Sequence, residues 1–222
     1  VLIDTLEGAA ACQLYAVLDK DDAHAGITLQ GLPILSESST LNNLREQGVS
    51  HFVVAVAGPR QANLRRRLFD QALQAGLQPM TVAHSTACIS ARAQLGAGVQ
   101  LLARSIVNTG ARLQSNVIVN TGAIVEHDCH IGPHAHIAPG VCLAGGVRVG
   151  TGAHIGVGAV VKEYVSIGDQ ALVGAGAVVI HDVPAQAVVA GMKFFYQAWN
   201  HGGASGGNLV INYTDVVVAD DV

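Results

Sequence analysis

Polar side chains of a kind that can move protons are concentrated in residues 126–136, which read EHDCHIGPHAH. This stretch holds four of the ten histidines of the chain, together with Glu126 and Asp128. A histidine beside a carboxylate is a natural general base, because imidazole titrates near neutral pH and the carboxylate can orient it and stabilise its protonated form. We therefore predict that His127 accepts a proton from a substrate and that Asp128 supports it.

The stretch lies within a six-residue repeat that runs from residue 94 to residue 183. Fifteen hexads, from QLGAGV to VVIHDV, follow one another without an insertion, and the second residue of each is Leu, Ile or Val. A period of six fits neither an amphipathic helix nor a simple alternating strand. It predicts a prism in which each hexad forms one flat face with its aliphatic residue inward, followed by a tight turn. Three hexads complete a coil, so about five coils stack around one aliphatic core.

This geometry bears on a second interpretation of the histidine cluster, a zinc site. Histidine and carboxylate are proper zinc ligands, and a closed site would draw four of them from neighbouring coils. The residue one coil beyond His127 is Gly145, which has no ligating side chain. We therefore expect no metal. The remaining histidines near the cluster are expected to be ordinary surface side chains: His130, His134 and His154.

The residues before the repeat have a different pattern. The apolar runs YAVLD, PILSE and HFVVAVA are separated by helical patterns at 40–48 and 59–76. Alternating strands and helices predict a small Rossmann-like α/β unit. The expected domains are an α/β unit at 1–82, a connector at 83–93, the repeat domain at 94–191 and a C-terminal cap or tail at 192–222.

Composition excludes several classes of protein. The net charge is -4, which offers no general attraction for nucleic acid. No apolar run approaches the roughly 20 residues of a membrane-spanning helix. The four cysteines form no CxxC pair, which indicates reduced thiols in a cytoplasmic protein. An acyl-enzyme on Cys129 or Cys142 is not expected, since each occupies an end position of its hexad.

The aliphatic–glycine pairs Ile131-Gly132, Ile155-Gly156 and Val173-Gly174 resemble the motif of the hexapeptide-repeat acyltransferases. Residues 120–150 resemble more specifically the sialic-acid O-acetyltransferase and nucleotide-amino-sugar N-acetyltransferase family, and the likeness extends over about residues 1–190. The resemblance implies a left-handed parallel β-helix, acetyl-CoA as co-substrate and a homotrimer with each site between neighbouring prisms. It also implies a nucleotide-sugar-binding domain at 1–82, of which we expect the first strand and Gly-rich loop to be missing.

The resemblance assigns roles to individual residues. His127 and Asp128 match the catalytic base and its supporting acid, and the Gly145 amide matches the contact for the acetyl carbonyl oxygen. The residues that match substrate contacts are His136 near the thioester, Asn120 near the acceptor group and Asp19 near the nucleotide base. The residues that match main-chain contacts for the pantetheine arm of coenzyme A are Gly156, Val157, Gly174 and Ala175.

The expected activity is direct transfer of an acetyl group from acetyl-CoA to the amine of a nucleotide-linked sugar. O-acetylation of a sialic-acid-like sugar is the alternative within the same chemistry. A non-catalytic β-helix scaffold, for which His127 would be dispensable, is the alternative from another class. A γ-class carbonic anhydrase, with three zinc-binding histidines at a subunit interface, is a further possibility. The sugar and the nucleotide stay open at this point.

Overall fold

The computed structural model describes residues 1–8, 12–36, 41–191 and 216–217. Its larger part is a stack of two-residue strands that recur every six residues, except that the last of them begins ten residues after its predecessor. In chain order they are β6 Val82–Ala83, β7 Cys88–Ile89, β8 Gln94–Leu95, β9 Gln100–Leu101, β10 Ile106–Val107, β11 Arg112–Leu113, β12 Ile118–Val119, β13 Ile124–Val125, β14 His130–Ile131, β15 His136–Ile137, β16 Cys142–Leu143, β17 Arg148–Val149, β18 His154–Ile155, β19 Val160–Val161, β20 Ser166–Ile167, β21 Leu172–Val173, β22 Val178–Val179 and β23 Val188–Val189. A further strand, β24 Val216–Val217, pairs antiparallel with β23.

Strands one coil apart form parallel ladders, which confirms the prism geometry. Ile118 pairs with His136, and His136 pairs with His154, each time across three hexads. The second residue of each strand points into the prism, and Val125, Ile137 and Ile155 are completely buried there. The result is a parallel β-solenoid, consistent with the predicted left-handed β-helix.

The solenoid begins earlier than the hexad pattern indicates. Residues 83–93, expected to be a connector, instead contribute β7 and part of β6, which pair with β10 and β9 in the register of the later coils. The sequence AHSTACISARA conceals this because its inward positions are less regularly aliphatic than those of the later hexads. Residues 192–215 and 218–222, most of the predicted cap or tail, lie outside the described residues.

The three faces of the prism differ in what their outward residues offer. The six-stranded sheet from β7 to β22 has an apolar outer row, made by Cys88, Ile106, Ile124, Cys142, Val160 and Val178. The five-stranded sheet from β8 to β20 has a polar outer row, made by Gln94, Arg112, His130, Arg148 and Ser166. On the third sheet, which contains β6, β9, β12 and β15, the outward side chains of those strands are buried.

The residues before the solenoid form two small sheets and two helices. Their bounds are α1 Leu2–Gly8, β1 Val17–Asp19, β2 Thr28–Leu29, β3 Leu32–Ser36, β4 His51–Phe52, α2 Ala62–Gln74 and β5 Gln78–Pro79. The strands β1 and β3 are parallel, as are β4 and β5, whereas β2 pairs antiparallel with β3. The helical pattern at 40–48 forms only a short 3-10 turn at Leu41–Asn43, followed by hydrogen-bonded turns.

Helix α2 attaches this unit to the solenoid. It lies along the turns at 96–98, 114–116, 132–134 and 150–152, which we call the Arg65 corner. The Phe69 ring covers Gly98, the Arg65 guanidinium reaches Asn116 one coil further, and Ala62 lies against Gly152. Positions 69, 65 and 62 share one helix face, so the helix spacing matches the stacking of the coils. Among the described residues no helix is both long and apolar enough to cross a bilayer.

Candidate active site

His127 and Asp128 occupy a sharp turn between β13 and β14. We call the stacked turns at 126–129, 144–147 and 162–165 the His127 corner. Asp128 has a left-handed backbone with φ of 58°, a conformation that Asp adopts more readily than most residues. The turn directs its carboxylate back to the neighbouring ring, where Oδ2 lies 2.9 Å from His127 Nδ1. The predicted pairing of the two side chains is present in the structure.

This contact sets the chemistry available to His127. A neutral imidazole that donates from Nδ1 to the carboxylate leaves the lone pair of Nε2 free. Nε2 makes no hydrogen bond to any described residue, and about half of the side chain is exposed to solvent. The ring is therefore oriented on one side and open on the other, as a general base must be.

Gly145 lies directly beside the ring, one coil after His127. A Cβ at this position would be 2.5 Å from both Cε1 and Nε2 of His127, so only glycine allows the ring its present place. The Gly145 N–H has no acceptor among the described residues, whereas the next amide, Gly146 N–H, donates to His127 O. An unpaired backbone amide next to a general base can stabilise an oxyanion that forms there.

Asn120 and His136 also lie together, as a second group. The Asn120 Oδ1 accepts a hydrogen bond from the Thr121 amide, so its Nδ2 faces His136 Nε2 at 3.1 Å and acts as the donor. The His136 side chain is only 7% exposed, and burial lowers its pKa to about 3, with smaller contributions from His154 and Arg65. Neutral His136 therefore carries its proton on Nδ1, since Nε2 accepts from Asn120.

Arg65 forms the polar centre of the junction between α2 and the solenoid. It is 1% exposed, and its guanidinium donates to Asn116 Oδ1 at 3.0 Å and to His134 O at 3.1 Å. Burial lowers its pKa to about 10. A small cavity beside it is lined by Arg60, His134, His136 and His154. The sequence interpretation missed Arg65, because in the run Arg65-Arg66-Arg67 only the helix register decides which arginine points inward.

His134 and His154 are not the ordinary surface residues expected from the sequence. His134 Nδ1 contacts Asn116 Nδ2 at 3.0 Å, and its ring packs edge-on against Phe69. His154 stacks edge-on against His136 with ring centroids 4.8 Å apart. Burial lowers the pKa of both imidazoles. Only His130 is exposed as expected.

The two groups lie on different parts of the prism. His127 is at the corner between the six-stranded and five-stranded sheets, whereas His136 begins a strand of the third sheet. One chain therefore presents the base and the Asn120–His136 pair on separate surfaces.

The glycines matched to coenzyme A contacts have a structural role of their own. A Cβ on Gly156 would lie 2.6 Å from Ala175 N, and one on Gly174 would lie 3.1 Å from Val189 O. Close stacking of successive coils thus accounts for both glycines. Their neighbours Val157 and Ala175 are exposed at the turns and available to a ligand. Contact of these four residues with coenzyme A stays a prediction.

Asp19 ends β1 in the α/β unit. Its carboxylate accepts from the Asp21 amide at 2.9 Å and contacts His24 Nδ1 at 2.9 Å. These hydrogen bonds lower the pKa of Asp19, and the Asp19 partner raises the pKa of His24. Asp19 is thus fixed at a strand end, and its predicted contact with a nucleotide base stays a prediction.

The described residues also bear on thiol and metal chemistry. Burial raises the pKa of the Cys129 thiol to about 11, so it is not a ready nucleophile at neutral pH. Within residues 1–8, 12–36, 41–191 and 216–217, no three His, Cys, Asp or Glu side chains are grouped closely enough to hold a metal ion.

Solved structures with the same fold are similar to this chain over most of its length. The GDP-perosamine N-acetyltransferase PerB of Caulobacter crescentus, in complex with CoA and GDP-perosamine, is 37% identical with a TM-score of 0.78, covering 85% of this chain and 86% of that one. Two variants of that enzyme, with one histidine replaced by Asn or Ala, match at 36% identity. The acetyltransferase domain of PglB of Neisseria gonorrhoeae, in complex with acetyl coenzyme A, is 31% identical with a TM-score of 0.77, covering 86% of this chain and 90% of that one.

A curated relative gives the same indication over a shorter region. The GDP-perosamine N-acetyltransferase of Escherichia coli O157:H7 is 31% identical over 133 residues, which are 60% of this chain and 58% of that protein. No family model matches the chain. The resemblance inferred from the E-H-D-C stretch and the hexads is confirmed by the solved structures. The chain belongs to the hexapeptide-repeat family of nucleotide-amino-sugar N-acetyltransferases.

Proposed function

We propose that this protein transfers an acetyl group from acetyl-CoA to the amine of a nucleotide-linked sugar. The observation that carries the proposal is the His127–Asp128 pair, held beside the free Gly145 amide at one corner of the solenoid. Because the similar enzymes from Caulobacter crescentus and Escherichia coli are GDP-perosamine N-acetyltransferases, GDP-perosamine is the first acceptor to test.

The proposed reaction is a direct transfer. The neutral amine attacks the thioester carbon, the carbonyl oxygen becomes an oxyanion held by the Gly145 N–H, and His127 Nε2 takes the amine proton. The C–S bond then breaks with its electron pair on sulfur. The imidazolium, stabilised by Asp128, returns the proton to the thiolate or to solvent, so no acyl-enzyme forms.

The proposed acceptor site involves the α/β unit. We propose that residues 1–82 form a Rossmann-like unit that holds the nucleotide, with Asp19 at its β1 strand end. Contacts between this unit and the early coils support the proposal. Gln100 Nε2 donates to Val54 O at 2.9 Å, and Arg65 reaches Asn116. An acceptor held by this unit would approach His127 from the side of the early coils.

We also propose that the chain forms a homotrimer in which the site is completed by a neighbouring prism. The outer row of the six-stranded sheet supports this, because it is apolar along its whole length and its Val160 and Val178 are 45% and 38% exposed. Such a row is stabilised by a partner that covers it. His127 lies at the edge of this sheet, so a second copy packed there would adjoin the base. It could also bring an Asn120–His136 pair to it.

The test is coenzyme A release from acetyl-CoA, followed with a thiol reagent, with GDP-, UDP- and dTDP-linked amino sugars and free sialic acid as acceptors. We expect release with one amino sugar. His127→Ala should lower kcat by about 100-fold or more, since a general base contributes at least that much, and should leave acetyl-CoA binding intact. Asp128→Asn should cause a smaller loss, because the oriented ring remains.

His130→Ala is the matched control. His130 is exposed three residues after the proposed base, and its ring makes a hydrogen-bond contact with no described residue other than Asp128, at the carbonyl. Its removal should leave turnover unchanged. Equal activity in wild type and His127→Ala would overturn the base assignment. Release with sialic acid alone would favour O-acetylation instead. Failure of the wild type to bind acetyl-CoA would favour a scaffold.

A further inference from the structure

Tyr164 stands out at the His127 corner because nothing in the fold requires it there. It is 74% exposed, and its hydroxyl makes no hydrogen bond to any described residue. Its φ is 62°, and among the described residues it is the only Phe, Tyr or Trp with a left-handed backbone. The solenoid turns impose this angle, as at Arg104, His134 and Gln170, and glycine takes it at many of the turns, so a bulky aromatic residue here carries an energetic cost. A strained, solvent-exposed aromatic residue beside a reactive group indicates a functional constraint.

The position of the ring relative to the base is well defined. The Tyr164 ring lies over Gly146, where a Cβ would be 2.5 Å from ring atom Cδ1. The His127 ring lies over the preceding residue, Gly145, at the same distance. The backbone links the two coils as well, since Tyr164 N–H donates to Gly145 O at 3.0 Å. The two rings therefore flank one glycine turn, with Tyr164 on the coil that follows Gly145.

The direction of the stack indicates which substrate reaches this ring. The α/β unit contacts the coils up to the one that carries Gly145, through Gln100, Arg65 and, at Gly152, Ala62. An acceptor held by this unit therefore arrives from the side of these coils. The acyl donor must approach from the opposite side, which is the side of Tyr164. Neighbouring coils are about 4.8 Å apart. The thioester carbonyl would bind at the Gly145 amide, and the Tyr164 ring, one coil further, would be about one strand spacing from it. At that distance the ring reaches the part of coenzyme A next to the sulfur, not the adenine.

We propose that Tyr164 is a donor-binding residue of this protein, whose ring packs against the pantetheine arm of acetyl-CoA next to the thioester. This inference rests on the proposed function. An aromatic face can pack against the methylenes and amides of the arm, and its pre-set position over Gly146 means that little conformational entropy is lost on binding.

The experiment compares Tyr164→Ala and Tyr164→Phe with the wild-type chain. Tyr164→Ala should raise both the KM for acetyl-CoA and the Kd of coenzyme A by about three- to tenfold, the range expected for a lost aromatic contact. It should leave kcat within about twofold and the acceptor KM unchanged. Tyr164→Phe should behave like wild type, because the ring is kept. The effect of Tyr164→Ala should persist with S-acetyl-pantetheine, which lacks the adenine.

Gln186→Ala is the matched control, since Gln186 is an exposed residue with φ of 64° at a turn outside the His127 corner. Wild-type donor binding in Tyr164→Ala would overturn the proposal. A change in the acceptor KM instead of the donor KM would also overturn it, as would an effect seen only with the full coenzyme. A parallel loss of oligomeric state, measured by ultracentrifugation, would instead make Tyr164 an interface residue and overturn the proposal as well. If the wild type does not bind coenzyme A, the proposed function fails as well. If the wild type binds coenzyme A and Tyr164→Ala binds it equally well, the proposed function stands and only the role of Tyr164 fails.

Discussion

Gly145→Ala tests the relation between the His127 ring and the turn beside it. The new methyl carbon would lie 2.5 Å from Cε1 and Nε2 and 3.1 Å from Cδ2 of His127, against 3.4–4 Å for ordinary contact. The ring must therefore retreat by roughly 1 Å. A displacement of this size at a reacting group can cost about 100-fold in rate. We expect kcat to fall by about that factor.

The same substitution should leave the fold almost unchanged. Gly145 is not among the residues with a positive φ, so alanine fits its backbone. Gly145 is itself buried, but the three atoms nearest to the new Cβ all belong to a half-exposed ring that can rotate toward solvent. The free energy of unfolding should thus fall by less than the roughly 1–3 kcal/mol of an overpacked core site. The assays are steady-state kinetics of coenzyme A release and urea denaturation.

Gly132→Ala is the contrasting control. Its Cβ would lie 2.8 Å from the backbone atoms Gly150 C and Thr151 N, which cannot rotate away. It should therefore destabilise the solenoid, by about 1–3 kcal/mol as for overpacked sites. If Gly145→Ala keeps kcat within about threefold of wild type, the ring does not need its place against Gly145. If it loses stability together with Gly132→Ala, the effect comes from the fold and the reasoning is refuted.

Two further predictions concern stability and assembly. His136 has a pKa of about 3 in the folded chain against 6.5 as its ordinary value, so between these pH values only the unfolded chain binds the proton. The free energy of unfolding is therefore unaffected by this group above pH 6.5 and decreases as the pH falls below that value. At pH 5 the decrease is about 2 kcal/mol. Urea unfolding at pH 7.5 and pH 5 should show this loss in wild type and less of it in His136→Asn, and equal pH dependence would contradict it. Val160→Asp places a charge on the apolar outer row and should dissociate the proposed trimer by ultracentrifugation, whereas Arg148→Asp on the polar face should not. An unchanged mass in Val160→Asp would place the interface elsewhere.

The sequence by itself determined the repeating architecture and the pairing of His127 with Asp128. An aliphatic residue at the second position of every hexad turns inward, because coils of three hexads stack these residues in one core, where Ile137 and Ile155 are buried. His127 and Asp128 are adjacent in the chain, so a single turn was enough to bring them together. Local information of this kind is visible in a sequence because the interacting groups are neighbours in it.

Contacts between distant parts of the chain were decided only by the tertiary structure. Arg65 contacts Asn116 and His134 because helix α2 lies along one corner of the prism. The local sequence does not show which arginine of the triplet 65–67 points inward, nor how the helix is aligned along the coils. The burial that keeps His136 neutral also comes from groups far away in the sequence. The solenoid starts at β6 because backbone hydrogen bonds to the next coil compensate for less regular inward residues. Registry and desolvation are properties of the assembled fold, and no periodicity encodes them.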